Sequence, residues 1–287
     1  MINPEKAYIF KYGAKDDDLT PAEQVVYENC ITPHRQSISP LDDFRDIYPE
    51  LEIQADKKNI ERIKREHSEK TKRAEILEAV LAQQIEQSDW FGENCRVYPT
   101  TEYDDLVNHT DLVVQLEKAN GQVISIGLDV TTATDEDKLR EKVSWTTREI
   151  ERGQLSEIKY SQAEEGESLK HEKLQLASRV IIGTDAEGVT ALSEMMHDVI
   201  KREPGSKARL GQYYLQIEIL EEISKQLNFY INYAVKKGFL EDHPNIAKRH
   251  EALLVIDKIL QNKKRSIPVR SEARSNKIYK FIEGLAA

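Results

Sequence analysis

Two aspartates, Asp111 and Asp129, lie at matching places in neighbouring predicted strands and could together bind a divalent metal ion. They belong to the stretch HTDLVVQLEKANGQVISIGLDVTT, residues 109–132, in which the even positions are apolar and the odd positions are mostly polar or small. Successive side chains of a strand point to opposite faces of a sheet. Each strand therefore has an apolar face for the core and a polar face that carries its aspartate.

The loop between these strands decides whether the two aspartates meet. Both apolar faces must point to one core, so paired residue numbers must have an even sum. A three-residue loop, 119–121, meets this condition by pairing Lys118 with Gln122, and it suits Gly121 as a left-handed residue. Asp111 then lies opposite Asp129 with Cβ atoms about 5 Å apart, where like charges repel each other.

Two interpretations of an opposed carboxylate pair stay open. The favoured one places Mg²⁺ or Mn²⁺ between the aspartates, since Mg²⁺ binds one or two carboxylates and keeps other positions for water and phosphate. Small and polar neighbours share this face, and Gly127 would leave room for a ligand. In the alternative, one aspartate is an exposed edge residue, or each aspartate pairs with a lysine or arginine.

The elements that must position these residues indicate an α/β fold. A helix is predicted over 58–88, with the apolar stripe Ile76, Leu77, Val80, Leu81 and Ile85. Strands at 94–98, 109–117 and 122–131 follow, then a helix at 135–152, a strand at 174–183 and a helix at 185–201. Three domains are predicted: an irregular arm at 1–57 in which only PAEQVVYENC is helical, an α/β core at 58–203, and a helical appendix at 204–287 with a basic tail. The appendix is predicted as helices over 206–238, from Pro244 to about 264, and over 275–285.

This order of elements and the two aspartates resemble the PD-(D/E)XK nuclease superfamily. The resemblance implies a restriction-endonuclease-like core of helix, three strands, helix and strand, covering about residues 59–183. Asp111 matches the aspartate of the second strand, and Asp129 in GLDVT matches the acid of the D/E-X-K motif. Glu78 matches the glutamate of the first helix, with Glu75 as the alternative. The implied metal ligands are Asp111, Asp129, Glu78 and the backbone carbonyl of Val130.

The sequence departs from that family at the motif lysine, which is Thr131 here. A threonine cannot supply the positive charge, so we expect a relocated lysine on the following helix. Strands advance about 3.3 Å per residue and helices 1.5 Å. A helix that folds back on the strand therefore brings Lys142 level with Asp129, while Lys138 stays near the top. The alternative is that both lysines are surface partners of Glu141 or Asp137.

Composition limits the functional classes. The net charge of −10 argues against non-specific coating of nucleic acid, although Lys and Arg are concentrated at 57–73 and 258–280. No apolar run approaches the length of a membrane helix, and the start of the sequence does not have a signal-peptide pattern. The two cysteines are far apart, which is typical of a cytoplasmic protein.

The leading hypothesis is a metal-dependent phosphodiesterase, a nuclease that cleaves DNA or RNA with Asp111, Asp129, Glu78 and Lys142 as catalytic residues. The competing hypothesis is a nuclease-fold binding or scaffolding protein that no longer cuts, which Thr131 and the acidic charge favour. A third is an adaptor that docks a protein partner, or a second copy, through the C-terminal helices. It predicts that the apolar stripe of 206–238 stays exposed after folding.

Overall fold

A four-stranded mixed sheet carries the predicted aspartates. In the computed structural model, which describes residues 18–66, 70–165, 168–239, 244–268 and 276–285, the chain has a mixed α/β fold. The strands of this sheet are β1 (Cys95–Pro99), β2 (Leu112–Glu117), β3 (Val123–Thr131) and β6 (Ser178–Gly183). Their spatial order is β1-β2-β3-β6, with β1, β2 and β3 antiparallel and β6 parallel to β3.

The predicted register of β2 and β3 is confirmed. Leu112 pairs with Leu128 and Leu116 with Ile124, so that every pair sums to 240. Gly121 has a φ of 79°, and the amide of Lys118 donates to the carbonyl of Gln122 over 2.8 Å. The even-numbered residues of both strands are buried in the main hydrophobic cluster, because turn geometry and alternation allow only this pairing.

Helices that precede and follow strands β1 to β3 along the chain add apolar side chains to the main hydrophobic cluster. The helices up to residue 200 are α1 (Pro21–Gln36), α2 (Glu50–Glu66), α3 (Lys72–Gln87), α4 (Glu102–Leu106), α5 (Glu136–Glu151) and α6 (Ala186–Ile200). The predicted stripe of α3 is fully buried. Five of these helices begin with side-chain caps, among them Thr71 at α3, Thr101 at α4 and Asp135 at α5. The side chain of Asp135 accepts from the amide of Lys138 over 3.0 Å.

The predicted irregular arm is largely helical in its described part: the helix predicted at 21–30 continues to Gln36, and 50–57, predicted as irregular, form the start of α2. Helix α1 begins with a capping box between Thr20 and Glu23, and it contains Pro33 without being interrupted. A 3-10 turn, Leu41–Phe44, leads towards α2. The five prolines of 1–57 fall at helix starts, in turns, within α1 and outside the described residues, which include none of 1–17. Proline count alone therefore misrepresented the segment.

A second sheet, missed by sequence analysis, covers part of the polar face. Strands β4 (Glu157–Glu165) and β5 (Ser168–Gln175) form an antiparallel hairpin between α5 and β6. Its residues Ile158 and Leu176 pack with Val113 in a small cluster of their own. An added Cβ at Gly127 would lie 2.7 Å from Leu176 and 2.9 Å from Thr110. The space that Gly127 leaves is thus filled by this chain itself and not by a ligand.

The C-terminal helices are part of the main core. They are α7 (Ser206–Gly211), α8 (Leu215–Lys236), α9 (Pro244–Ser266) and α10 (Lys277–Leu285), so the single helix predicted over 206–238 is broken at 212–214. Leu220, Tyr230 and Ile282 are fully buried in the same cluster as the sheet. The apolar stripe that an adaptor would expose on α8 is therefore covered, and 204–287 is not a separately packed appendix.

Helix α8 also closes the outer edge of β6. The amide of Ile181 donates to Gln226, and the amide of Gly183 donates to Oε2 of Glu222 over 3.0 Å. Burial raises the pKa of Glu222 well above its usual value, and the nearby Glu218 and Glu221 raise it further against the Gly183 hydrogen bond. Side chains of α8 thus accept hydrogen bonds from the amides of the edge strand β6, which requires the burial of a carboxyl group.

No helix among the described residues is both long and apolar enough to cross a membrane.

Candidate functional site

Asp111 lies at the start of β2, and its carboxylate links two strands to a lysine. Its main-chain amide donates to the carbonyl of Leu128 over 2.9 Å, and its Oδ2 accepts a 2.5 Å hydrogen bond from the amide of Val130. Its Oδ1 forms an ion pair with Nζ of Lys70. Burial alone would raise the pKa of Asp111, but the charges of Lys70 and Lys142 and these hydrogen bonds outweigh it and lower the pKa.

Asp129 lies two residues before the end of β3, and Lys142 of α5 reaches it as predicted. Nζ of Lys142 forms an ion pair with Oδ1 of Asp129, whose side chain is only 5% exposed. The other carboxylate oxygen, Oδ2, is buried and has no hydrogen-bond partner among the described residues. Burial raises the pKa of Asp129; Lys142 opposes this effect and the charge of Asp111 adds to it. The site therefore contains one buried acceptor oxygen that the protein itself leaves unsatisfied.

Glu78 belongs to the same cluster, two turns into α3. Its Oε1 lies 2.9 Å from Nε2 of His34, and its Oε2 lies 2.6 Å from Nζ of Lys70. The alternative helix glutamate, Glu75, points elsewhere, since it contacts Arg35 and the Tyr27 hydroxyl. The structure thus brings Glu78, and not Glu75, to the two aspartates through Lys70.

Lys70 is the centre of this cluster, and sequence analysis did not identify it. Its ammonium contacts Glu78, Asp111 and, at 3.3 Å, Asp105. Burial would lower the pKa of Lys70, but the three carboxylates hold it well above its usual value. A lysine that is fully charged therefore occupies the space between carboxylates of α3, α4 and β2.

The carboxylates of the cluster outnumber its lysines. Among the described residues, Lys70 and Lys142 are the lysines that pair with Glu78, Asp105, Asp111 and Asp129, while His34 contacts Glu78 and Arg179 acts more weakly on Asp129. Burial and the charge of Asp111 raise the pKa of Asp105 well above its usual value despite Lys70. A proton on Asp105 thus relieves part of the negative charge, and a bound cation would do the same.

Other predicted residues have different positions. Lys138 is exposed in the first turn of α5 and does not reach the cluster. Thr131 is buried, and its hydroxyl accepts from the amide of Ala133. The amide of Val130 donates to Asp111, while its carbonyl as a metal ligand stays a prediction. His109 has a φ of 53° and stacks on Trp145 at 3.5 Å between ring centroids, so it is not part of β2.

Both interpretations of the aspartate pair receive support. Each aspartate has a lysine partner, which is what the alternative without metal requires. Among the described residues, no group of three or more His, Cys, Asp or Glu side chains is arranged to hold a metal ion. The unsatisfied Oδ2 of Asp129 and the excess of carboxylates fit a cation beside Asp129. The set of Glu78, Asp111 and Asp129 as metal ligands therefore stays a prediction.

Comparisons with protein-family models, curated proteins and solved structures found no significant match to the chain.

Asp104 and Arg179 complete the surroundings. Asp104 is fully buried in α4 and accepts hydrogen bonds from the amides of Lys159 and Tyr160 at 2.7 and 3.0 Å. It therefore fastens the β4 strand to α4. Arg179 on β6 pairs with Gly127 in the parallel register and is buried on the face of Asp129. A charged residue inside the apolar run SRVIIG was the signal that could have identified it.

Proposed function

We propose that this protein is a metal-dependent phosphodiesterase that acts on nucleic acid. The observation that carries the proposal is the convergence of Asp129 and Lys142, with a buried Asp129 Oδ2 that lacks a partner. The chain order of helix, three antiparallel strands, helix and a parallel strand supports the resemblance to PD-(D/E)XK nucleases. The site is polar and buried, as electrostatic stabilisation of a phosphate requires.

The residues would divide the work as follows. Asp111 and Asp129, with Glu78 and the Val130 carbonyl, would hold Mg²⁺ or Mn²⁺, which when bound lowers the pKa of a water and stabilises charge on phosphate. Lys142 takes the role of the motif lysine, whose position Thr131 occupies, since the ammonium of Lys142 already lies at Asp129. Lys70 must give way in part, because it occupies oxygens of both Glu78 and Asp111.

The test is cleavage of labelled single- and double-stranded DNA and RNA by the purified protein in Mn²⁺, Mg²⁺ or EDTA. We expect Mn²⁺-dependent cleavage that falls at least 100-fold in Asp129→Asn, which keeps the shape of the side chain. Lys142→Met should lower the rate 10²-fold or more, as removal of a transition-state charge typically does. Wild-type protein that cuts none of these substrates contradicts the proposal.

Glu75→Gln and Glu78→Gln form a matched pair on one helix. Both remove one carboxylate charge from α3, but only Glu78 contacts Lys70. Cleavage should therefore fall in Glu78→Gln and persist in Glu75→Gln. Equal loss in both variants would indicate general damage to α3 and not a role in the site.

The second candidate is a nuclease-fold binding protein without catalysis. It is favoured by Lys70, which already supplies a cation among three carboxylates, and by Thr131 at the motif position. Calorimetric titration with Mn²⁺ separates the candidates before any substrate is known. Binding that disappears in Asp129→Asn supports the enzyme, whereas no heat of binding together with nucleic-acid retention in EDTA supports the binding protein.

A further inference from the structure

An open pocket of about 590 Å³ lies beside strand β1, which forms one edge of the four-stranded sheet. Residues of α1, α3, β1 and β4 line it, and its volume is in the range of pockets that bind small organic ligands. Among the described residues of its wall there is no lysine or arginine, and Glu86 is the one carboxylate. The pocket therefore suits a ligand, or a part of a ligand, that has no negative charge.

The wall of this pocket combines hydrogen-bonding side chains with an aromatic ring that the protein leaves free. The polar side chains include Asn29, Gln83, Gln87 and Ser161. Tyr98 of β1 is half-buried, and among the described residues no aromatic ring packs on it and no side chain bonds its hydroxyl. Proteins recognise unpaired nucleobases with this combination, by stacking on an aromatic ring and by hydrogen bonds to the base edges.

The main chain of β1 adds acceptors to the pocket. The Thr100 amide donates to the Asp111 carbonyl over 2.9 Å, so the register places the even-numbered residues of β1 in hydrogen-bonded pairs with β2. The odd-numbered residues therefore direct their main-chain groups to the open edge. The Val97 amide is already bound by Glu86 over 3.2 Å, and Pro99 has no amide hydrogen. Carbonyl groups remain at these two positions, and they suit the amino groups of a base better than an added peptide strand, which needs donors as well.

The pocket adjoins the carboxylate cluster at two points. Tyr98 pairs with Val113, so its side chain lies on the same face of the sheet as Val113 and Asp111. Tyr98 is a diagonal neighbour of Asp111, and such neighbours are about 7–8 Å apart. At the second point, His34 lines the pocket while its Nε2 lies 2.9 Å from Oε1 of Glu78. A single nucleotide can span the separation between the pocket and the carboxylates.

We infer that this pocket binds a nucleobase and its sugar, with the base stacked on Tyr98 and the phosphate of the same nucleotide at the carboxylate cluster. The identification of the ligand as a nucleotide rests on the proposed function, because the pocket itself selects only an uncharged planar group. A base within a duplex is already paired and stacked, and it must leave the helix to enter such a pocket. The substrate class is therefore single-stranded nucleic acid or an unpaired end.

The experiment titrates the full-length protein in EDTA with adenosine, cytidine, guanosine and uridine and follows binding by calorimetry. Ribose 5-phosphate is the probe without a base, and EDTA separates binding from any metal-dependent cleavage. We expect at least one nucleoside to bind ten-fold or more tightly than ribose 5-phosphate. A single-stranded oligonucleotide should also bind at least ten-fold more tightly than a blunt duplex of the same sequence. The absence of nucleoside binding, or a preference for ribose 5-phosphate or for the duplex, would overturn the inference.

Variants of tyrosine test the stacking ring. Tyr98→Ala should weaken nucleoside binding about ten-fold or more, as the loss of a base-stacking ring typically does, whereas Tyr98→Phe keeps the ring and should retain binding. Tyr233→Ala removes another half-buried tyrosine, which lies on α8 and does not line the pocket, and it should bind like wild type. Thermal unfolding without ligand verifies that each variant is folded. Unchanged affinity in folded Tyr98→Ala would overturn the inference.

Asp129→Asn separates this inference from the proposed function. It should lose Mn²⁺-dependent cleavage and still bind nucleosides in EDTA as wild type does, because Asp129 does not line the pocket. Nucleoside binding by a wild-type protein that cleaves nothing would contradict the proposed function alone and support the pocket. Cleavage by a wild-type protein that binds no nucleoside would contradict the pocket alone.

Discussion

Lys70 offers the sharpest test of how the carboxylate cluster is held together. Replacing it with methionine keeps the aliphatic length but removes the ammonium that contacts Glu78 and Asp111. The side chains of these two acids are 8% and 5% exposed, so the change leaves buried carboxylates facing one another without a cation. The contact with Asp105, at 3.3 Å, is the longest of the three that Lys70 makes.

The expected cost is about 3–5 kcal/mol in the free energy of unfolding at pH 7.5, the usual result of removing one partner from a buried ion pair. At roughly 2 °C per kcal/mol for a chain of this size, Tm should fall by about 6 °C or more. Below pH 4 the difference from wild type should narrow. The pKa of Asp111 is lowered in the fold, so its stabilising contribution is present at neutral pH and is lost as the pH falls through that value.

Urea and thermal unfolding at pH 3 and 7.5, with EDTA or Mn²⁺, measure these effects. If the cluster accepts a divalent cation, Mn²⁺ at 100 times its Kd should stabilise Lys70→Met by about 2.7 kcal/mol. The same Mn²⁺ concentration should stabilise wild type by less. The control is Lys57→Met, whose lysine pairs with the exposed Asp42 over 2.6 Å and should cost about 1 kcal/mol or less. A loss below about 1 kcal/mol in Lys70→Met would refute the structural role of the ammonium. Equal Mn²⁺ effects in variant and wild type would refute competition between Lys70 and the cation.

Two further predictions concern the frame around the site. The pKa of Glu222 is raised in the fold, so wild-type stability should fall as pH rises from the ordinary glutamate pKa of about 4.3 towards the folded value. In urea titrations, Glu222→Gln should remove this pH dependence while keeping an acceptor for the Gly183 amide. A pH dependence that persists in the variant would assign the effect to other groups. Gly127→Ala should destabilise the protein by about 1–3 kcal/mol, because its Cβ would meet Leu176 at 2.7 Å. Gly211→Ala should not destabilise it, because no atom of the described residues lies within 4 Å of the new Cβ. Similar stability of both variants in thermal unfolding would contradict this packing.

Much of the site could be predicted because its determinants are local. The loop of three residues and the alternation in 109–132 are properties of neighbouring residues, and they lead to the register in which Leu112 pairs with Leu128. The rise per residue of strand and helix then places Lys142 at Asp129, thirteen positions along the chain. Thr131 at the motif position is likewise evident from the sequence alone.

The partners of Asp111 and Glu78 were decided by tertiary structure. Lys70 is 41 residues from Asp111, and His34 is 44 residues from Glu78, and no periodicity within one element relates such positions. Their meeting depends on how α1, α3 and α4 pack around the edge of the sheet. The β4–β5 hairpin escaped prediction for a similar reason. Its strands have no clear apolar alternation, and Tyr160 of β4 is buried against α2 and the 3-10 turn at Leu41–Phe44.

The sequence by itself therefore determined the strand pairing, the shared face of Asp111 and Asp129 and the approach of Lys142, because backbone geometry fixes distances over short stretches of chain. Only the tertiary structure decided that Lys70 lies among the carboxylates, that Leu176 fills the space at Gly127 and that Arg249 is buried. Those contacts arise where separate elements pack together, and the free energy of such packing depends on residues far apart in the chain.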